Sequence, residues 1–179
     1  MTAAARLIVL RHAKSAWPDV PDQDRPLAER GRADAPAAGR WLREHRMVPD
    51  LVVCSTSRRT RETWELAVAE LGADPPVRYD DRAYRAEAEE LIALLREVPP
   101  SAGTVLLVGH RPEVQDLVLS LAEDTGSQDL ARVREKYPTT GIAVLDLVGD
   151  WPGLGHGTAE LSAFAVPRGT PAEPANTDQ

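Results

Sequence analysis

Three short apolar runs, each ended by polar or charged residues, constrain the fold of this chain most. They span residues 7–10, 51–54 and 104–108, and none alternates between apolar and polar residues. Such runs are typical of strands buried on both faces of a parallel sheet. A helical pattern follows each run, and alternating strands and helices are the mark of an α/β fold. The sequence therefore predicts a three-layer α/β/α sandwich with a mostly parallel sheet.

The remaining elements complete one domain. Helices are predicted over approximately residues 27–48, 57–71, 87–98 and 112–122, with a short helix near residue 130 and a short strand over residues 77–79. Residues 142–148 and 160–165 predict an antiparallel edge pair joined by a glycine-rich loop. A chain of 179 residues with 42% hydrophobic content fits one buried core. We expect a single domain over residues 1–166 and a disordered tail over residues 167–179.

Composition excludes several partners and compartments. The net charge of −7 argues against a nucleic acid as the main partner, since binding a phosphate backbone needs a basic face. The first apolar run is too short for a signal peptide or a membrane span, so no membrane association is expected. The only cysteine, Cys54, cannot form an internal disulfide, and no Cys/His cluster has zinc spacing. We expect a cytoplasmic protein without a metal.

Polar residues at the ends of the three apolar runs predict a ligand site. Arg11 and His12 follow the first run, Ser55 to Arg59 follow the second, and Gly109 and His110 follow the third. The carboxyl ends of parallel strands meet at one edge of a sheet, where ligands bind in open α/β folds. Cations that converge there repel one another unless an anion is bound. The sequence therefore predicts a site for a phosphoryl group.

The order and spacing of these residues resemble the histidine phosphatase superfamily, also called the phosphoglycerate mutase-like superfamily. The matching motifs are Arg11-His12, Ser55-x-x-x-Arg59-x-x-x-Thr63, Gly109-His110, and Asp24-Arg-Pro-Leu27 followed by Gly31. The short chain and the phrase over residues 83–92 are most similar to the small branch of that family. Its best-described members are protein phosphohistidine phosphatases.

The resemblance implies a role for each matching residue. His12 would be the nucleophile that takes the phosphoryl group, forming a covalent phosphohistidine intermediate. Arg11 and Arg59 would hold the phosphoryl oxygens, and His110, as a cation, would assist them. No cofactor is implied. Two neighbouring arginines, Arg58 and Arg61, are out of register with the motif and are interpreted as solvated or substrate-approach residues.

The first motif departs from the family pattern in two places. Ala13 stands where the family usually has glycine, and we expect the loop to tolerate alanine unless a positive φ is required. The longer motif has a serine and a tryptophan, matched by Ser15 and Trp17, and then an asparagine, which Pro18 replaces. Ser15 is therefore a candidate phosphate-binding residue. Lys14 is a second candidate, because it offers a cation where one phosphate donor is missing.

The more consequential departure from the family pattern is the lack of a clear candidate for the general acid, the residue that would protonate the leaving group. The acidic residues near the expected position are Asp80, Asp81, Glu87, Glu89 and Glu90, and none lies in a clear motif. We name Glu87 as the candidate general acid. An alkoxide leaving group needs a proton, whereas imidazole, with a pKa of about 6.5, leaves readily. A site without an acid would therefore favour a phosphoramidate such as phosphohistidine over a sugar phosphate.

The sequence supports a hydrolase that cleaves a phosphoric monoester or a phosphoramidate through phosphorylated His12. Its substrate would be a phosphorylated protein, with phosphohistidine as the first candidate. One alternative is a small-molecule phosphatase or mutase of the same fold, acting on a sugar phosphate, a nucleotide or another small phosphorylated metabolite. A second alternative is a module that binds a phosphorylated ligand without turning it over.

Overall fold

A computed structural model describes residues 4–170 of the chain, which form one six-stranded sheet covered by helices. The strands are β1 (Arg6–Arg11), β2 (Leu51–Ser55), β3 (Val77–Asp80), β4 (Thr104–Gly109), β5 (Ile142–Leu147) and β6 (Ala159–Ala165). The helices are α1 (Glu29–Glu44), α2 (Arg58–Val68), α3 (Ala88–Arg96), α4 (Glu113–Leu121) and α5 (Gln128–Glu135). Short 3-10 helices cover Asp22–Asp24 and Asp81–Ala83.

The strand order is β3-β2-β4-β1-β5-β6, and the first four strands of this order are parallel. β5 pairs antiparallel with both β1 and β6, which places the predicted antiparallel pair at one side of the sheet. Helices α1 and α2 pack on one face, whereas α3, α4 and α5 pack on the other. The predicted α/β/α sandwich is confirmed.

The core is divided by the sheet because successive strand residues point to opposite faces. In β1, Leu7 and Val9 pack against the α3–α5 layer, and Ile8 and Leu10 pack against the α1–α2 layer. All four side chains are fully buried, and burial of each stabilises the fold by about 1.5–3 kcal/mol. Both layers thus hold β1 in place, and with it the residues that follow β1.

Two glycines let α1 approach its neighbours closely. A Cβ atom on Gly31 would lie 2.2 Å from the backbone oxygen of Lys14, and one on Gly39 would lie 1.9 Å from the backbone oxygen of Ala67. Neither contact could be relieved by a side-chain rotation, because both neighbouring atoms belong to the backbone. Gly31 therefore fixes α1 directly against the loop that follows β1.

The start of the predicted tail is in contact with the domain. The guanidinium of Arg168 donates to the Thr139 carbonyl oxygen at 2.8 Å, and the Gly169 N–H donates to the Asp34 carboxylate at 2.9 Å. The rest of that tail, residues 171–179, lies outside the described residues, and its disorder stays a prediction. Within residues 4–170, no helix has both the length and the apolar character needed to cross a membrane.

Candidate active site

The strand ends predicted to carry chemistry lie side by side at one edge of the sheet. β4 lies between β1 and β2, with Arg11 opposite Gly109. The His12 N–H donates to the Gly109 carbonyl oxygen at 3.0 Å, so the β1 and β4 ends are joined directly. A cavity of about 230 Å³ opens at this edge. Its lining consists of Arg11, His12, Lys14, Ser15, Trp17, Arg25, Arg59, His110, Arg111 and Thr139.

The sequence-predicted phosphate ligands are thus brought together in one pocket. It is smaller than the roughly 300–1,000 Å³ of sites that enclose a drug-sized ligand. Five of the lining residues carry a Lys or Arg side chain, and among the described residues no Asp or Glu contributes to the lining. A small pocket with this charge suits a phosphoryl group better than a neutral molecule.

One ring nitrogen of His12 is fixed by a hydrogen bond, and the other is free of hydrogen bonds to the described residues. Its Nδ1 lies 2.7 Å from the Ala13 carbonyl oxygen, which can only accept a hydrogen bond, so Nδ1 carries the proton and Nε2 keeps its lone pair. Burial lowers the pKa of His12 well below its ordinary value of 6.5. The imidazole is therefore neutral at pH 7, the form that can attack phosphorus.

Ala13, the residue that holds His12, is itself held by α2. Its N–H donates to the Thr63 hydroxyl at 3.0 Å, and that hydroxyl donates to the Arg59 carbonyl oxygen at 2.7 Å. Positive φ among the described non-glycine residues occurs at three positions, and Ala13 is not one of them. Alanine is therefore accommodated without strain, as expected, and Thr63 links the β1 loop to the first turns of α2.

The two motif arginines are fixed in different ways. Arg11 donates from Nη1 to the Tyr137 carbonyl oxygen at 2.8 Å, while its buried Nε has no hydrogen-bond partner. Burial lowers the pKa of Arg11 to about 10, with a further contribution from the charge of Arg111, so it remains a cation at neutral pH. Arg59 donates to the backbone oxygen and the carboxylate of Asp22, at 2.7 and 3.1 Å.

The neighbours of Arg59 stay outside the pocket, as the register of the motif predicts. Arg58 is paired with Glu62 at 3.4 Å, and the Arg61 guanidinium donates to the Thr56 carbonyl oxygen at 3.0 Å. Neither contributes to the pocket lining. Arg58 and Arg59 are adjacent on α2 but point in different directions, so only Arg59 lines the pocket.

His110 lies beside His12, with ring centroids 5.4 Å apart. Its Nε2 is 2.8 Å from the Ser55 hydroxyl, and its buried Nδ1 has no partner. Burial, and next the charge of Arg59, lower the pKa of His110 to about 3. The environment of His110 therefore favours the neutral ring over the cation that the family resemblance implies.

Asp22 is the organising carboxylate that the sequence analysis missed. It accepts hydrogen bonds from the Tyr84 hydroxyl at 2.6 Å and from the guanidinium groups of Arg25 and Arg59, each at 3.1 Å. The Tyr84 hydrogen bond, followed by those from the arginines, holds the pKa of Asp22 well below its usual range. Asp22 therefore stays ionised and is a poor proton donor.

Arg25 is the second missed residue. Although it lies in the matched segment Asp24-Arg-Pro-Leu27, no role was predicted for it. It is buried, donates from Nη2 to the Ser15 hydroxyl at 2.6 Å and from Nε to the Ala16 carbonyl oxygen at 3.1 Å. Ser15 thus faces the pocket with its hydroxyl already bound to a cation. The signal for Asp22 and Arg25 was their spacing of three residues, which suits an ion pair on one helical turn.

The structure does not bring Glu87 to the pocket. Its predicted role as the general acid is therefore disfavoured by the geometry. Glu87 immediately precedes α3, where its N–H donates to the Glu90 carboxylate at 2.7 Å. Asp80 is paired with Arg82 instead. Another carboxyl, that of Glu113, follows His110 by three residues and has a buried Oε2 without a partner. Burial raises the pKa of Glu113, but this residue is not part of the lining either.

Comparison with known proteins identifies the family to which the fold belongs. The family model of the histidine phosphatase superfamily (branch 1) matches residues 7–84. The proposed phosphohistidine phosphatase SixA from Nakamurella multipartitia is 36% identical, with coverage of 93% of this chain and 98% of that chain and a TM-score of 0.82. The corresponding protein from Agrobacterium tumefaciens is 30% identical, with coverage of 92% and 99% and a TM-score of 0.76. An uncharacterised protein from Mycobacterium tuberculosis is 43% identical over 162 residues, which are 89% of this chain and 100% of the relative.

The chain therefore belongs to the histidine phosphatase superfamily. Within that superfamily it is a hydrolase of the small branch represented by the two SixA structures. The family resemblance and the enzyme class inferred from the motifs are confirmed.

Proposed function

We propose that this phosphatase hydrolyses protein phosphohistidine through a covalent intermediate on His12. The observation that carries the proposal is the arrangement of donors around a neutral nucleophile. Two buried nitrogen atoms without hydrogen-bond partners, Nε of Arg11 and Nδ1 of His110, belong to residues that line the same pocket as His12. Leaving a buried donor unpaired costs about 1–3 kcal/mol, so a phosphoryl oxygen that accepts from either nitrogen would offset that cost.

In the first step, the lone pair on Nε2 of His12 attacks phosphorus. The new N–P bond forms as the N–P bond of the substrate breaks, and the substrate imidazole leaves with the bonding electrons. Arg11 and Arg59 hold the phosphoryl oxygens, where charge is spread in the transition state. His110 donates from Nδ1 when the Ser55 hydroxyl donates to Nε2, a tautomer compatible with their 2.8 Å contact.

This transfer needs no general acid when the substrate is phosphohistidine. A phosphohistidine protonated on its second ring nitrogen leaves as neutral imidazole, while His12 keeps the Nδ1 proton that binds Ala13 and becomes a phosphorylated imidazolium. The phosphoryl group thus passes between two imidazoles without any proton transfer. An alkyl ester would release an alkoxide, which requires a proton that no carboxyl in the described lining supplies.

Water completes the cycle. A water oxygen bonds to phosphorus, the P–N bond to His12 breaks, and the products are neutral His12 and dihydrogen phosphate. Both protons of the water leave with the phosphate, so the atoms and charges balance without another reactant. The lowered pKa of His12 favours this step, because burial makes the imidazole a stable neutral leaving group.

The relatives support the same substrate class. The two solved structures at 36% and 30% identity are described as proposed phosphohistidine phosphatases, and this chain covers nearly their whole length. A phosphohistidine on a protein surface would place the phosphoryl group in the cavity of about 230 Å³ and leave most of the partner outside it.

A substrate panel tests the proposal. We expect kcat/KM for a phosphohistidine-bearing protein to exceed that for sugar phosphates and nucleotides by several orders of magnitude. His12→Ala should abolish turnover of all these substrates. Comparable turnover of alkyl phosphates would instead support the small-molecule phosphatase. Phosphate binding without turnover of any substrate would support the binding module. Full activity in His12→Ala would overturn the covalent mechanism itself.

A further inference from the structure

Trp17 is an exposed aromatic side chain at the mouth of the phosphate pocket. It is 79% exposed, although large aromatic side chains usually bury most of their surface, and it lines the same cavity as His12. Trp64 and Trp151, by contrast, are fully buried in the core. Packing therefore accounts for those two indoles but not for Trp17.

The indole of Trp17 is nevertheless held by a rigid support. The guanidinium carbon of Arg25 lies 3.2 Å from the centroid of the Trp17 ring, so Arg25 covers one face. Arg25 is only 6% exposed and is fixed by hydrogen bonds to Ser15, Ala16 and Asp22. Since most of the Trp17 surface remains accessible, the opposite face of the indole is open.

The charges around this pair suit a planar partner. Arg25 is matched by the ionised Asp22 carboxylate at 3.1 Å, which offsets its repulsion toward a second cation. An open indole face binds flat aromatic rings by stacking and binds cationic rings by an additional cation–π attraction. The leaving group of protonated phosphohistidine is both flat and cationic before transfer.

We infer that Trp17 is a specificity-determining residue, whose open face stacks the planar leaving group while the phosphoryl group lies among Arg11, His12 and Arg59. This inference rests on the proposed function and adds how the site selects its substrate. Selection arises because the stacked ring is oriented for departure, whereas a phosphoryl donor without a ring gains nothing from Trp17.

Two activated phosphoryl donors separate ring recognition from phosphate recognition. Phosphoimidazole carries a planar ring, and acetyl phosphate does not, yet neither requires an alkoxide to leave. For Trp17→Ala, we expect kcat/KM to fall about tenfold with phosphoimidazole and less than about twofold with acetyl phosphate. Trp17→Phe should recover most of the loss, because a phenyl ring still stacks.

Tyr79→Ala is the matched control, because Tyr79 is an exposed aromatic residue on β3 outside the pocket lining. It should leave both kcat/KM values unchanged. If Trp17→Ala lowered kcat/KM equally for both donors, Trp17 would have a merely structural role. If it left both values unchanged, Trp17 would not contact the leaving group. Either result overturns the inference. Turnover without phosphorylated His12 would contradict the proposed function instead. The ratio of kcat/KM for phosphoimidazole to kcat/KM for acetyl phosphate would still report on Trp17.

Discussion

The bridge made by Thr63 offers a sharp test of how His12, the proposed nucleophile, is positioned. The Thr63 hydroxyl is fully buried, accepts from the Ala13 N–H at 3.0 Å and donates to the Arg59 carbonyl oxygen at 2.7 Å. Thr63→Val keeps the shape of the side chain but removes this acceptor. The buried Ala13 N–H then has no partner in the bridge.

The magnitude follows from that single lost hydrogen bond. A buried N–H left unsatisfied costs about 1–3 kcal/mol, so we expect the free energy of unfolding to fall by about 2 kcal/mol. For a protein of this size, that corresponds to a decrease in Tm of roughly 4–8 °C. Because Ala13 also holds Nδ1 of His12 at 2.7 Å, its displacement should reduce kcat by about tenfold.

Thr63→Ser is the matched control, since it keeps the hydroxyl and loses one buried methyl group, worth about 1 kcal/mol. We expect it to retain the wild-type kcat. Thermal unfolding and steady-state turnover of an activated aryl phosphate measure both quantities. If Thr63→Val and Thr63→Ser had the same Tm and the same kcat, the bridge would play no part in positioning His12.

Two further predictions concern the charges of the site. Arg59→Ala should lower kcat by about 10²–10³-fold. Arg58→Ala removes an exposed arginine paired with Glu62, and its kcat should stay within about twofold of the wild-type value. Similar losses of kcat in both variants would refute the assignment of Arg59 as the pocket arginine. The lowered pKa values of His12 and His110 mean that the unfolded chain binds protons first as the pH falls below about 6.5. The free energy of unfolding should therefore decrease by about 2 kcal/mol between about pH 7 and pH 5.5, and denaturant titrations that show no decrease would contradict buried neutral imidazoles.

Local sequence patterns predicted the part of the fold that carries the catalytic motifs. The apolar runs over residues 7–10, 51–54 and 104–108 correspond to β1, β2 and β4, because a buried strand needs an uninterrupted apolar segment. Because ligands bind at the carboxyl edge of parallel strands, the residues at the ends of these three strands were predicted to form one site. The four-residue spacing from Ser55 also separated Arg59 from Arg58.

Features that depend on tertiary contacts could not be predicted. Residues 18–26 have neither helical nor strand periodicity, so the sequence pattern does not indicate that Asp22 and Arg25 fold back onto the pocket. The charge state of His110 depends on burial, which the residue type does not reveal. Glu87 was named by proximity in sequence, but the start of α3 uses it as a helix-terminal residue.

The central claim is that the phosphoryl group is carried by His12. Rapid-quench experiments with a radiolabelled phosphohistidine protein test it most directly, followed by peptide mapping of the enzyme. We predict an acid-labile, base-stable phosphoryl group on His12 that forms and decays at rates consistent with kcat. Steady-state turnover with no phosphorylated enzyme at any time, or a label on another residue, would contradict this mechanism.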